Sequence, residues 1–179
     1  MIKKIFLAGN PNVGKSVIFS RLTGVQVISS NYAGTTIELM RGFLKIGEEE
    51  IEVIDLPGTY SFEPNSKSEE VAVALLKEQH KDEFIVINIV DSTNLERNLY
   101  LTLQLIEEGL PVLVALNMCD EAQHHGVTID SQKLSQLLGV AVVPTCAITG
   151  LGIKTLLGEI NQVKLISRPQ VSHRQRWEE

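Results

Sequence analysis

The chain has 179 residues, 44% hydrophobic and 21% charged, with 16 Lys plus Arg against 22 Asp plus Glu for a formal net charge of −6. That is the balance of one globular domain, and it excludes a disordered chain, a collagen-like repeat and a coiled coil. An acidic chain without a basic run is not expected to bind nucleic acid broadly, and its apolar runs are far shorter than the ~20 residues of a bilayer span.

Periodicity and turn signals predict, in chain order, a strand over 3–8, a helix over 15–23 and strands over 37–46 and 50–55. The two strands are joined by the hairpin-like Gly47-Glu48-Glu49. A helix follows over 67–80, then a strand over 84–90, a helix over 95–109, a strand over 111–117, a helix over 130–138, a strand over 141–144 and a helix over 153–166. Val- and Ile-rich runs alternating with amphipathic helices predict a doubly wound α/β fold. The expected sheet is mostly parallel and six-stranded, with 37–46 as one antiparallel edge strand and helices on both faces. Residues 1–167 read as the domain, and the polar 168–179 as a frayed tail or the start of a truncated following segment. Cys119 and Cys146, far apart and in apolar surroundings, read as reduced cytosolic residues, and the N-terminus is too short for a signal peptide.

Where the first strand meets the first helix stands Gly9-Asn10-Pro11-Asn12-Val13-Gly14-Lys15-Ser16, the G-x-x-x-x-G-K-[ST] phosphate loop. Its glycines let backbone N–H groups turn inward around a phosphate, and the helix N-terminus adds its positive dipole end. Lys15 is expected to reach the β- and γ-phosphates of a nucleoside triphosphate and Ser16 to ligate Mg²⁺. Asp55-Leu56-Pro57-Gly58 closes the third strand, where Asp55 would hold Mg²⁺ through a water and the Gly58 N–H would sense the γ-phosphate. Asn117-Met118-Cys119-Asp120 fits the N-x-x-D pattern. The Asp120 carboxylate would accept from guanine N1–H and the exocyclic amine, a pair that adenine does not offer, so the nucleotide is GTP or GDP. Asn117 is expected to brace the phosphate loop as well as contact the base. Thr145-Cys146-Ala147 takes the place of the usual Ser-Ala-Lys, with the Ala147 N–H facing guanine O6 and Cys146 losing a bracing hydroxyl. Between the phosphate loop and Asp55, the polar Gly34-Thr35-Thr36 reads as a switch in which Thr36 completes the Mg²⁺ shell when GTP is bound. The position after Gly58 is Thr59, so no side-chain amide there orients the attacking water, and intrinsic hydrolysis should be slow.

Three strings carry a closer resemblance: Asn31-Tyr32-Ala33-Gly34-Thr35-Thr36-Ile37-Glu38, Asp55-Leu56-Pro57-Gly58-Thr59-Tyr60-Ser61-Phe62, and Asp91-Ser92-Thr93-Asn94-Leu95-Glu96-Arg97-Asn98-Leu99-Tyr100-Leu101. Over roughly residues 2–167 the chain resembles the G domain of FeoB, the bacterial ferrous iron transporter. The resemblance implies a P-loop GTPase fold and a cytoplasmic domain that regulates Fe²⁺ uptake. It also implies a following helical domain and a multispanning region in the inner membrane as its partners, and a K⁺ ion held against the phosphates by Asn12. Catalysis would then rest on Lys15, Thr36, Gly58 and Asn12, with Ser16, Thr36, Asp55 and Asn12 as metal ligands. Two departures are Tyr32, where tryptophan is common, and Cys146 in the guanine loop. The rival expectations are an Era- or MnmE-like GTPase associated with the ribosome or RNA, and a GTP-binding switch that does not hydrolyse usefully. The sequence is compatible with an oligomer.

Overall fold

The structure, a computed structural model, describes residues 2–24, 27–160 and 162. Its elements are β1 (Lys4–Gly9), α1 (Lys15–Thr23), β2 (Val27–Asn31), β3 (Glu38–Ile46), β4 (Glu49–Asp55), α2 (Lys67–Lys77) and β5 (Phe84–Asp91). A 3-10 turn (Ser92–Asn94) then leads into α3 (Leu95–Glu107), β6 (Val112–Asn117), α4 (Cys119–His124), α5 (Ser131–Leu138), β7 (Val142–Pro144) and α6 (Ile153–Ile160). One sheet runs β2-β3-β4-β1-β5-β6-β7. The β4-β1-β5-β6-β7 part is parallel, and β2 and β3 pair antiparallel.

The sheet has seven strands, one more than the sequence pattern predicts. The added strand, β2, is the true edge, and β3 is paired on both sides, Ser30 opposite Leu39 and Lys45 opposite Glu50. The sequence of β2, Val-Ile-Ser-Ser-Asn, carries no apolar alternation because none of its residues is buried. The expected helix over 153–166 is Ile153–Ile160 within the described residues. Its positions from 163 onward and the tail 168–179 lie outside them.

Strand β1 shows why the sheet is covered on both faces. Phe6 and Ala8 point into a cluster with Val86, Val114 and the helix residues Val71, Leu75, Leu101 and Leu105. Ile5 and Leu7 point into the opposite cluster with Ile85, Ile87, Ile18, Phe19 and Leu156. A strand with helices on each side reads as a continuous apolar run, and each such fully buried side chain contributes roughly 1.5–3 kcal/mol. Phe6 meets Phe84 edge-on at 5.4 Å between ring centroids. Helices α2 and α5 start on side-chain caps, Ser66 accepting from the Glu69 N–H and Asp130 from the Lys133 N–H. Because β1, β4, β5, β6 and β7 are parallel, the loops that follow them all emerge at one edge of the sheet, where an α/β sheet binds its ligands.

Candidate nucleotide-binding site

The loop after β1 turns into α1 through Gly14, whose φ of 87° is left-handed and which caps α1 without a side-chain acceptor. The first N–H groups of α1 therefore remain available to an anion. A Cβ at Gly14 would stand 2.4 Å from Asn117 Nδ2, so only glycine fits there. Asn12 is left-handed at φ 67°, and among the described residues its amide has no hydrogen-bond partner. Pro11 is exposed, Val13 is buried, and the buried Asn10 leaves its Oδ1 without a partner among the described residues.

Lys15 Nζ lies 2.5 Å from Asp55 Oδ1, the two side chains 12% and 5% exposed. Ser16 Oγ donates to Asp55 Oδ2 at 3.2 Å. The phosphate-loop cation, hydroxyl and carboxylate thus form one cluster, with Lys15 resting on Asp55. The segment after β4 is drawn against the phosphate loop: Thr59 N–H donates to Gly9 O at 3.0 Å, and a Cβ on Gly58 would sit 2.9 Å from Pro11 Cγ. Leu56 is buried in the core, and Pro57 O accepts from Thr59 Oγ1 at 3.0 Å.

Asn117 is the joint between the phosphate and base loops. Its Nδ2 donates to Val13 O at 2.9 Å, and its Oδ1 accepts from Ala147 N–H at 3.0 Å and Thr145 Oγ1 at 3.3 Å. This departs from expectation at Ala147, whose N–H is directed to Asn117 and not outward to a base. Met118 is left-handed at φ 60° and caps α4, a short helix that begins inside the N-x-x-D string. Cys119 faces inward, its Sγ donating to Leu116 O at 3.0 Å, which gives it a packing role and not the contact expected with a nucleotide.

Cys146 also departs from expectation, since its thiol does brace the loop: Sγ donates to Asp120 Oδ2 at 3.1 Å. That bond is the main reason the Asp120 carboxyl lies below the usual carboxylate range. Burial opposes it, and the Glu121 and Asp120 N–H groups and the nearby His124 reinforce it.

Residues 34–36 do not join this cluster. Thr35 Oγ1 donates to Tyr32 O at 3.0 Å and accepts from Ile37 N–H, closing a local turn. Thr36 is exposed and, with Gly34, Thr35, Ile37 and Lys67, lines a hollow that has no phosphate-loop residue in its walls. The structure thus brings together Gly9 to Ser16, Asp55 to Gly58, Asn117, Asp120 and Thr145 to Ala147, and leaves Thr36 outside.

Motif reading missed the residues that hold these loops. Ser92 Oγ donates to Asn117 O at 2.6 Å from the 3-10 turn. Glu69, buried on α2, accepts from the N–H groups of Tyr60 and Asn65, at 3.3 and 2.8 Å. Gln104 Oε1 accepts from Phe62 N–H at 2.6 Å, and the Arg97 guanidinium stacks 4.7 Å over the Tyr60 ring. Only an acid at a helix start and the polar run 91–98 hinted at them.

A parallel sheet whose strand ends carry a phosphate loop, a D-x-x-G loop and an N-x-x-D loop is the P-loop GTPase fold. Within that class the chain belongs to the family described as Ferrous iron transport protein B, whose family model matches residues 3–160. It is 48% identical over 153 residues to the Fe(2+) transport protein A/Fe(2+) transporter FeoB fusion protein of Porphyromonas gingivalis, covering 86% of this chain and 18% of that protein. Among solved structures it resembles the cytosolic domain of L. pneumophila FeoB at a TM-score of 0.85 and 41% identity, covering 91% of this chain and 70% of that one. It also resembles a point mutant of S. thermophilus NFeoB bound to GDP at a TM-score of 0.84 and 41% identity, covering 92% and 63%. The chain spans about a fifth of the length of the curated relatives it matches. Among the described residues, no helix is long and apolar enough to cross a membrane.

Proposed function

We propose that this chain binds and hydrolyses GTP as the regulatory, cytoplasmic-side domain of a ferrous iron transporter in the bacterial inner membrane. Its partners are the helical and membrane-spanning regions that follow in such a transporter. The observation that carries the reading is Asn117, which ties the phosphate loop at Val13 to the base loop at Thr145 and Ala147 while Asp120 stands three residues on. The GDP bound to the S. thermophilus relative supports a guanine nucleotide. The family match favours this reading over the ribosome- or RNA-associated alternative.

In hydrolysis a water adds to the γ-phosphorus in line with the leaving oxygen, GDP departs with the bonding pair, and inorganic phosphate carries away the added oxygen. The loop N–H groups between Gly9 and Ser16 and the α1 N-terminus hold the phosphates. Lys15, drawn from Asp55 toward the nucleotide, neutralises charge on the β- and γ-phosphates. Asp120 holds the guanine edge. Ser16 Oγ and Asp55 Oδ2, hard oxygens 3.2 Å apart, fit Mg²⁺, which takes few protein ligands beside phosphates and waters. Bound there, Mg²⁺ would offset charge on the phosphate oxygens, and K⁺ at the Asn12 amide oxygen would add a second positive charge. Thr36 and the Gly58 N–H report the γ-phosphate, Thr36 by moving from its present hollow.

A switch without useful hydrolysis draws on one observation. Thr59, which follows Gly58, is turned inward, its N–H and hydroxyl bound to Gly9 O and Pro57 O, so it positions no water. Single-turnover phosphate release from GTP, with ATP as control, decides between the two. Release from GTP alone supports hydrolysis, tight GTP binding without release supports the switch, and equal use of ATP defeats the guanine assignment.

A further inference from the structure

The base loop starts in the core at Thr145, Cys146 and Ala147, but its tip has little core to hold it. Ile148 and Leu151 at its tip are 79% and 65% exposed, and its internal bonds, Gly150 N–H to Cys146 O and Cys146 N–H to Leu151 O, set its shape but do not attach it to the domain. Beyond the Thr145 N–H on Leu116 O and the Cys146 thiol on Asp120, both at its start, attachment comes from two side chains. One is Asn117, described above. The other is Arg21 on α1, whose Nε donates to Ala147 O at 3.1 Å and whose Nη2 donates to Ile148 O. The guanidinium also covers Gly150, where an added Cβ would stand 3.6 Å from Nη1.

Ala147 is therefore gripped at both ends, its N–H by Asn117 and its carbonyl by Arg21. Both grips lead back to the phosphate loop. Asn117 bonds Val13 O, and Arg21 lies on the helix that Gly14, Lys15 and Ser16 begin, a helix seated in the core by Ile18, Phe19 and Leu22. A planar guanidinium satisfies two adjacent carbonyls at once, which an ammonium on a flexible stem does not.

The geometry points to Arg21 as a positioning residue for guanine recognition: by clamping the Ala147 and Ile148 carbonyls to the phosphate-loop helix, it holds the base loop where the Ala147 N–H turns from Asn117 to the purine 6-oxo group when nucleotide binds, and it sets how long a guanine nucleotide stays bound. This rests on the guanine-nucleotide reading above. Arg21 touches neither phosphate nor base and acts through the loop, so its loss should be felt only by ligands that use the loop.

The test is the dissociation rate of a fluorescent N-methylanthraniloyl GDP from the whole chain, for the unaltered protein, Arg21→Met and Arg21→Lys. Affinities for GDP and for 6-thioguanosine diphosphate, which keeps N1–H and the 2-amine for Asp120 but replaces the 6-oxo group with a weakly accepting sulfur, are measured by competition. Arg21 is exposed, so neither substitution disturbs the core. Loss of two charge-assisted bonds in Arg21→Met should speed GDP dissociation about ten-fold, with Arg21→Lys between that variant and the unaltered protein. The same Arg21→Met change should alter affinity for the 6-thio nucleotide by less than about twofold, the limit for independent effects. A merely structural role would weaken both nucleotides alike, and that result overturns the inference, as does a GDP lifetime unchanged in Arg21→Met. If the unaltered chain held no fluorescent GDP, the guanine reading itself would fall and take this inference with it.

Discussion

Replacing Asn117 with Ala separates its role as a joint from any role as a base ligand. In the protein without nucleotide the change removes the donor to Val13 O and the acceptor shared by the Ala147 N–H and the Thr145 hydroxyl. Asn117 and Thr145 are both buried, so water does not readily replace these bonds. Each bond contributes about 1 kcal/mol net, and a buried group left unpaired costs about 1–3 kcal/mol. With the three bonds acting on connected loops, we expect a loss of roughly 3–5 kcal/mol. For a domain of this size each kcal/mol is worth about 2–4 °C, so the melting temperature should fall by ~6–20 °C. Asn117→Asp should be no better, because it keeps the acceptor for Ala147 but turns a carboxylate oxygen toward the Val13 carbonyl. The assay is thermal unfolding followed by circular dichroism without nucleotide, paired with GDP affinity at a temperature where both proteins are folded. A melting temperature within about 3 °C of the unaltered protein, together with lost GDP affinity, would refute the joint and make Asn117 a base ligand only.

Asp120→Asn should weaken GTP and improve xanthosine triphosphate, whose 2-oxo group accepts where guanine donates; unchanged preference in a competition assay would contradict the guanine assignment. Cys146→Ala removes the bond that chiefly holds the Asp120 carboxyl below its ordinary range. A carboxyl lowered in the folded state stays ionised until the pH falls through its lowered value, so in the variant GDP binding should fail at a higher pH on acidification, and superimposable profiles would contradict this. GTP hydrolysis should be faster in K⁺ than in Na⁺ at matched ionic strength, and Asn12→Ala should abolish the difference while largely keeping nucleotide binding; equal rates in the unaltered protein would return Asn12 to a turn-forming role.

The parallel core was legible because strands buried on both faces leave uninterrupted Val and Ile runs, as in Phe84–Asp91. Strand β2 was not, because it is an edge whose pairing with β3 is written in the backbone and not in side-chain burial. Helix α4 was hidden for another reason: at six residues it is too short to show a 3.6-residue period. Gly14, Lys15, Ser16 and Asp55 were legible in the site because spacing and chemistry coincide. The direction of the Ala147 N–H was not, since a backbone amide can serve a base or a neighbouring side chain, and only the position of Asn117 selects one. The two cysteines divide in the same way. Their apolar neighbours suggested packing for both, yet the fold brings Cys146 within reach of a carboxylate 26 residues earlier in the chain.

The loops around the site are restrained very unequally, and this bears on how a γ-phosphate would be read. Residues 58–66 are held from three directions: by Glu69 on α2, by Gln104 and Arg97 on α3, and by the phosphate loop through Gly9 and Pro11. Segment 31–37 has its local turn, the Tyr32 hydroxyl on Glu78 at 3.3 Å, and the half-buried Tyr32 and Ile37 resting against the core, with no side chain of α3 or the phosphate loop bonded to it among the described residues. A segment with few tethers has little to lose by moving, so ligand contacts of modest strength reposition it, whereas a displaced Gly58 has to carry Tyr60 and Phe62 with it against α2 and α3. Thr36 is therefore suited to sensing the γ-phosphate by relocation. Gly58, already in contact with Pro11, is suited to passing a small shift of the phosphate loop into the two helices.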